Sequence, residues 1–535
     1  MTRRSQLFVG LIVAVPVVAG TIAALLPIVA SFAMMMAATT ATGLLLLRTG
    51  TSWRGTRVRS VLQASRRAAG GATYAASRIL AGPSGPGTLV YEAGVLFVRP
   101  HLAAPAPPVP TSAPTAIRLD PLALARLSYY GGVLFMGVQV FRPLLGFTIS
   151  DVLFVLATVG ALFATASGAA RTSARLPAFM FLGASVFSVG ALISTAVAPN
   201  PLDSLDHLAK FLFVIAWFWA GSVLLRTPRH ISVAVGLWVA TIAMNGVAAT
   251  AQLMLGDIIP GGHVAWGRMT GMTDHFNDLG GAVGIVLAPA LALTILGWSR
   301  LGVRMVFVAG VALMLAGLFL SGSVGGMLAG LVSVIVWIAC SPFRLRRRTV
   351  LLAAGGVISV LSIMAVLTAA GAETPLARLD QAAGAGGTFA IRVETYEDAL
   401  WNIRLDPMVG TGLDQGPTRN GHVVHSFLLG SWFQVGALGA IGLTLILGAI
   451  AVLAVRVVRD ARTREERVLA LALFGAFFGF LTLGLAQPLL LQRYAWIPTA
   501  LLMALHEQQA AAATVEADSW RSASPRPDSA VGAAV

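Results

Sequence analysis

The chain has 535 residues, of which 57% are hydrophobic and 11% charged, with a mean hydropathy of +0.81. Water-soluble globular chains carry about 25% charged residues, so this shortage of charge excludes an ordinary soluble enzyme. The formal charge of +15 would suggest nucleic acid in a soluble protein; in a membrane protein it reflects Lys and Arg collected in short cytoplasmic loops.

Uncharged stretches of about 18 or more residues recur along the chain, long enough to cross a hydrocarbon core about 30 Å thick. They are rich in Leu, Ala, Val and Gly and predict an all-α integral membrane protein, not the alternating ten-residue segments of a barrel. Residues 7–47 hold no charged side chain, and Pro27 divides them into spans 7–25 and 28–47. The first follows Met-Thr-Arg-Arg and is succeeded at once by the second, so both are read as retained and not as a cleaved signal. Arg48, Arg54, Arg57, Arg59, Arg66 and Arg67 place the next segment in the cytoplasm. Residues 49–126 read as an Arg- and Pro-rich linker, in which the Ala and Pro run His101 to Pro114 is semi-rigid and polyproline-like, with no compact domain around it.

A transmembrane core follows over 127–370, with spans at 127–145, 150–167, 176–197, 209–225, 231–252, 279–297, 305–321, 324–341 and 350–370. The first of these is cut short by Arg142-Pro143. A long polar loop, 371–425, expected to hold short helices, precedes a C-terminal core over 426–508 with spans 427–455, 468–488 and 494–508. The 427–455 stretch exceeds one crossing, so it tilts or begins as a shallow helix on the outer surface. The total is about fourteen crossings. Residues 509–535, with their Ala, Ser, Pro and Arg, read as a disordered cytoplasmic tail.

With the N-terminus inside, alternate loops carry Arg171 and Arg175, Arg226 and Arg229, Arg300 and Arg304, Arg344 to Arg348, and Arg456 to Arg467. The opposite loops are 200–207, 256–278 and 371–425, the last with seven acidic residues against four arginines. This pattern predicts a multi-pass inner-membrane protein with both termini cytoplasmic. The one cysteine, Cys340, sits in an apolar run and reads as buried and structural. No P-loop and no dinucleotide fingerprint occurs, which argues against an ATP-driven pump or a dinucleotide enzyme.

Three polar groups fall on the outer side. Gly267 to Asp278 precedes a helix that Asn277 or Asp278 can cap, leaving N-terminal amides suited to an anion. Within it Arg268 offers a planar fork for phosphate, or else snorkels or pairs with a loop acid. In the second group Arg392, Tyr396 and Leu400 recur at intervals of four and share a helical face, and Pro407 with Gly410 and Gly412 then ends the helix. Asp398 or Glu394 could hold Arg392 as a surface pair. The third group, Gly421 to Leu428, contains His422 and His425 where the loop re-enters the bilayer, and a histidine there can accept a proton near neutral pH. His263, His275, His422 and His425 all lie outside, but none has a companion ligand in H-E-x-x-H spacing, so no metal and no cofactor is expected.

His425-Ser426, nine residues, then Gly436-Ala437-Leu438-Gly439 resembles the His-Asn/Ser, nine residues, Gly-x-x-Gly pattern of the O-antigen ligase and O-antigen polymerase superfamily of membrane glycosyltransferases. Arg392 to Leu413 is similar to that family's Arg-led helix and Pro-x-x-Gly-x-Gly turn, and Gly267 to Gly271 with Asn277 to its Arg-x-x-Gly…Asn segment. The similarity covers roughly 150–508. The family has about twelve crossings with its large outer loop between the ninth and tenth; here an added N-terminal pair, 1–48, shifts that loop by two. Two departures are Ser321-Gly322-Ser323, where relatives carry Ser-Arg-Gly, and Tyr396, where relatives often have tryptophan.

The resemblance implies a GT-C-like fold and transfer of a glycan from a polyprenyl-diphosphate donor, such as undecaprenyl diphosphate, to an acceptor hydroxyl at the extracytoplasmic face. Arg268 and Arg392 would bind the diphosphate, and His425 would act as general base or as a further diphosphate ligand. Tyr396, His422, Asn277 and Asp274 would contact substrate. Partners would be the lipid-linked donor, a glycan or glycolipid acceptor and the bilayer, without nucleic acid. The alternatives are a polysaccharide polymerase of the same superfamily, a small-molecule or anion transporter, and a membrane scaffold.

Overall fold

In lipid a segment must satisfy its own backbone polar groups, and the apolar stretches accordingly fold as helices. The computed structural model describes residues 89–92, 95–98, 120–140, 147–168, 177–256, 264–265, 267–296, 301–342, 347, 351, 355, 362, 388–413 and 422–523. Two short strands, β1 (Leu89–Glu92) and β2 (Val95–Val98), precede helices α1 (Pro121–Phe135), α2 (Ile149–Ala166), α3 (Ala178–Thr195), α4 (Pro201–Leu224) and α5 (Pro228–Leu255). Then come β3 (Val264–Ala265), β4 (Arg268–Met269), α6 (Phe276–Leu296), α7 (Leu301–Ser321), α8 (Val324–Cys340), α9 (Thr388–Leu405), α10 (Phe427–Arg459), α11 (Arg464–Gly484) and α12 (Arg493–Ala523). Among the described residues eight helices are long and apolar enough to cross a membrane, namely α2 to α7, α10 and α11, and α8 is a shorter apolar helix.

Contacts divide the chain into two units, Met1–Ser31 with Asp120–Val535, and Phe32–Leu119. In the second unit β1 and β2 form an antiparallel ladder pairing Leu89 with Val98 and Glu92 with Val95. The segment 49–126, expected as a linker, therefore contains a hairpin, built from β-branched and aromatic residues that favour strands. The spans expected at 7–25 and 28–47, the body of 350–370, and the Ala and Pro run lie outside the described residues.

In the first unit the extents of two elements and the burial of one residue differ from expectation. The helix read as 127–145 is α1, which starts at Pro121 and ends at Phe135. Asp120 caps it, accepting from Leu122 N at 3.0 Å, and Pro121 supplies a helical φ at the first position. The tail read as disordered from 509 continues α12 to Ala523. Its Glu, Gln and Ala residues are strong helix formers, and Gln509 Nε2 donates to the Val457 carbonyl at 3.0 Å while Arg462 pairs with Glu516. Finally, Cys340 is exposed at the end of α8. The buried stripe of α8 runs through Gly330, Ser333 and Trp337 to Ser341, which takes the inward place and donates to the Trp337 carbonyl at 2.7 Å.

Outward faces are apolar, as in Leu156, Val159, Leu162 and Phe163 of α2 and Phe179 and Phe181 of α3, while small residues turn inward. Without a hydrophobic drive between helices in lipid, close backbone approach supplies the packing. Gly183 and Gly190 of α3 meet α10 at Gly442 and Leu438, and Gly280 and Gly284 of α6 meet Gly326 and Gly330 of α8. α6 is buried over almost its whole length and forms the centre, contacting α5, α7, α8, α11 and α12.

The stretch read as too long for one crossing is two helical segments meeting at Gly436, whose φ of 74° and ψ of −167° belong to a region essentially restricted to glycine. The turn after α9 docks on this break. Thr411 N donates to the Phe433 carbonyl at 3.1 Å, Gly412 N to that of Gln434 at 2.9 Å, and Ala437 N to that of Pro407 at 2.9 Å. The Pro-x-x-Gly-x-Gly turn thus satisfies polar groups that the kink frees, as buried backbone requires.

Candidate functional site

The connection between α5 and α6 threads back into the bundle. Asn245 on α5 accepts from Met272 N at 2.9 Å and donates to the Gly137 carbonyl at 3.0 Å, and Gln252 accepts from Gly271 N at 2.8 Å. These bonds hold the loop so that Arg268 crosses to the α7–α8 turn. Its Nε donates to the Ser321 carbonyl at 2.6 Å and its Nη2 to Asn277 Oδ1 at 2.7 Å. Its guanidinium carbon lies 3.4 Å above the centre of the Phe276 ring, a cation–π arrangement. Gly322, with φ of 59°, leaves room for it, since a Cβ there would stand 3.2 Å from Arg268 Nε. Arg268 is therefore held in the protein and not extended to lipid. Its place is against the turn Ser321-Gly322-Ser323.

The helix cap expected of Asn277 or Asp278 is supplied instead by His275, whose Nδ1 accepts from Asn277 N at 3.1 Å. Because α6 begins at Phe276, the two other residues already lie in its first turn. That frees the Asn277 side chain for Arg268 and turns Asp278 inward, where Tyr494 donates to it at 3.1 Å. Asp274 is half-buried in the preceding turn, with its N–H donating to Gln139 Oε1 at 3.3 Å.

The second cluster is built by α9 and the entry to α10. α9 buries Thr395, Ala399 and Ile403, with Ala399, Ile403, Val424 and Phe433 forming a small apolar core. Arg392 and Tyr396 lie half-buried beside this stripe, whereas Leu400 is 41% exposed and does not share their environment. The Tyr396 hydroxyl donates to the His425 carbonyl at 2.7 Å and lies 3.0 Å from the Leu485 carbonyl. Arg392 Nε and Asp398 Oδ2 are buried and make no hydrogen bond among the described residues. Burial lowers the affinity of His425 for a proton, and the charges of Arg392 and His422 lower it further. The Tyr396 phenol is pushed up by burial, partly opposed by Arg392. Burial and the two neighbouring charges all favour the neutral form of the His425 ring. A cleft beside it is lined by His207, Ser426, Gln434, Pro488 and Leu491.

The structure brings Arg392, Tyr396, His422 and His425 into one cluster and Arg268 with Asn277 into another. The connection after α11 joins them: the Leu485 carbonyl faces Tyr396, and Gln487 Nε2 donates to the Asn277 carbonyl at 2.9 Å. Neither Gln487 nor Tyr494 stands out in the sequence; the available signal is a glutamine next to Pro488 after an apolar span and a tyrosine that follows Gln492 and Arg493. Among the described residues no group of three or more His, Cys, Asp or Glu gathers in a way that could hold a metal ion.

Apolar outward faces and glycine-mediated helix contacts define a multi-pass helical membrane protein. Within it, residues 309–444 match the family model described as O-antigen ligase. This match supports the O-antigen ligase superfamily, whose members are membrane glycosyltransferase-like enzymes of ligase and polymerase type. It includes Arg392, Tyr396, His422, His425 and the Gly436 kink, and begins after Arg268, Asp274 and Asn277. No curated protein matches the chain.

Proposed function

We propose that the protein is an O-antigen ligase-like glycosyltransferase of the inner membrane, with about fourteen crossings, cytoplasmic termini and an extracytoplasmic site. It moves a glycan from a polyprenyl-diphosphate donor to an acceptor hydroxyl on a glycan or glycolipid. The observation that carries this reading is the cluster in which a buried Arg392 Nε without a hydrogen bond to the described residues lies near the half-buried His425, whose proton affinity burial and Arg392 lower. A buried donor without a partner costs about 1 to 3 kcal/mol, which a bound phosphate oxygen would recover.

In the reaction the acceptor hydroxyl attacks C1 of the donor sugar and gives its proton to His425. The bond from C1 to the diphosphate oxygen breaks on the opposite face, so configuration at C1 inverts. Arg268 and Arg392 hold the diphosphate and stabilise the charge that grows on its leaving oxygen, and polyprenyl diphosphate departs. Their fixed guanidinium charges take the role a divalent cation fills in many sugar transferases, so transfer proceeds without metal. Tyr396 orients the His425 backbone, and His422, Asn277 and Asp274 border the donor. The apolar outward faces accommodate the prenyl chain.

The test is transfer from a defined polyprenyl-diphosphate glycan by the purified full-length protein. Arg392→Ala and His425→Ala are expected to abolish transfer while membrane insertion is retained. Full activity in both variants overturns the assignment.

A further inference from the structure

We infer that Gln487 and Tyr494 are positioning residues that act through Asn277 on Arg268, and that the α11–α12 connection couples the two arginine clusters. This rests on the transferase reading above. The chain of contacts runs without a gap. Asn277 Oδ1 accepts from Arg268 Nη2 at 2.7 Å, and the Asn277 carbonyl accepts from Gln487 Nε2 at 2.9 Å. The Tyr494 hydroxyl then stands 3.2 Å from Gln487 Oε1 and 3.1 Å from Asp278 Oδ1. It has one proton, which it shares between these two oxygens, and its contact with Oε1 keeps the Gln487 amide nitrogen pointed at Asn277. Gln487, Tyr494 and Asp278 are 5%, 1% and 8% exposed, so water does not compete for these bonds.

The connection is itself anchored. Trp496 Nε1 donates to the Leu489 and Leu490 carbonyls at 3.2 and 3.1 Å, and Ala486 N donates to the Leu483 carbonyl at 2.9 Å. Gly281 opens the space for Tyr494, since a Cβ there would stand 3.1 Å from the tyrosine oxygen. A network needed only for folding could close on itself in the core. This one ends on Arg268 at one side, and the same connection offers its Leu485 carbonyl to Tyr396 at the other. The distance between the diphosphate-binding arginine and the base would then depend on a single anchored turn, and preorganised charge requires such fixing.

The experiment uses full-length protein in lipid vesicles with Gln487→Met, which keeps volume but removes both polar atoms, and Tyr494→Phe, which removes one oxygen. Without substrate, both should raise amide hydrogen exchange across residues 268–278. With a polyprenyl-diphosphate glycan, both should lower kcat/KM for the donor about fivefold, the factor a hydrogen bond of ordinary net strength is worth, and leave KM for the acceptor unchanged. Combined with Arg268→Ala, Gln487→Met should add no further loss. Unchanged exchange, or losses that multiply independently, overturn the inference. If exchange rises while the wild-type chain transfers nothing, the coupling stands and the transferase reading falls.

Discussion

Replacing Gly436 by alanine tests how α9 is held against α10. The backbone there has φ of 74° and ψ of −167°, and a side chain in this region costs about 1 to 3 kcal/mol. A Cβ would also fall well inside contact distance of the Met408 carbonyl oxygen, so the docked turn must move away. Its displacement threatens the hydrogen bonds from Thr411 N, Gly412 N and Ala437 N, each worth roughly 0.5 to 1.5 kcal/mol net. The sum is a loss of about 2.5 to 7.5 kcal/mol if all three bonds are lost. A Cβ added at Gly448, in the same helix, would meet nothing within 4 Å, and alanine there should be neutral or stabilising by up to about 1 kcal/mol. Denaturant unfolding of the detergent-solubilised variants, followed by tryptophan fluorescence, separates the two. Because the turn carries α9, Gly436→Ala should also abolish transfer by shifting Arg392 relative to His425. Equal stability and activity of the two variants would refute the reasoning.

Tyr396→Phe removes the hydroxyl that meets the His425 and Leu485 carbonyls; transfer should drop about tenfold with stability changed by about 1 kcal/mol or less, measured as initial rate and unfolding midpoint. The pH profile of kcat/KM should rise as His425 loses its proton, with its acid limb below the ordinary imidazole value, because burial, Arg392 and His422 disfavour the charged ring. Arg392→Gln should move that limb to higher pH in whatever activity remains, and an unmoved limb would separate the two residues. The same shift has a stability sign: the unfolded chain binds this proton more readily, so the contribution is present above the unfolded pKa and lost as pH falls through the folded one. Incubation with EDTA should leave the transfer rate unchanged, and a rate restored only by added divalent cation would count against arginine as the diphosphate ligand.

Much of the helix pattern was legible because hydropathy is local. The spans at 150–167, 231–252 and 468–488 correspond to α2, α5 and α11 within a few residues at most ends. The boundaries that failed depend on something else: α1 on the cap at Asp120, and the extent of α12 on side chains that reach α10 and α11. The excess length of 427–455 was visible, but its cause was not, because the kink at Gly436 is stabilised by a turn that follows α9.

The candidate site divides in the same way. Sequence alone identified Arg268 and His425 as polar residues bordering apolar spans and Arg392 as an arginine on a helical face within a polar loop, since that requires only residue type and neighbours. It could not choose between Arg268 as a lipid-facing cation and as an anchored one, nor find Gln487 and Tyr494. Those answers lie in contacts between distant positions: Arg268 with Ser321 across 53 residues, Tyr396 with Leu485 across 89, and Gln487 with Asn277 across 210. Apolar length determines that a segment becomes a helix in lipid, because the backbone must be satisfied within the segment. Which polar atoms then meet is decided by helix packing, where small residues set how closely the backbones approach and so which side chains come within hydrogen-bonding reach.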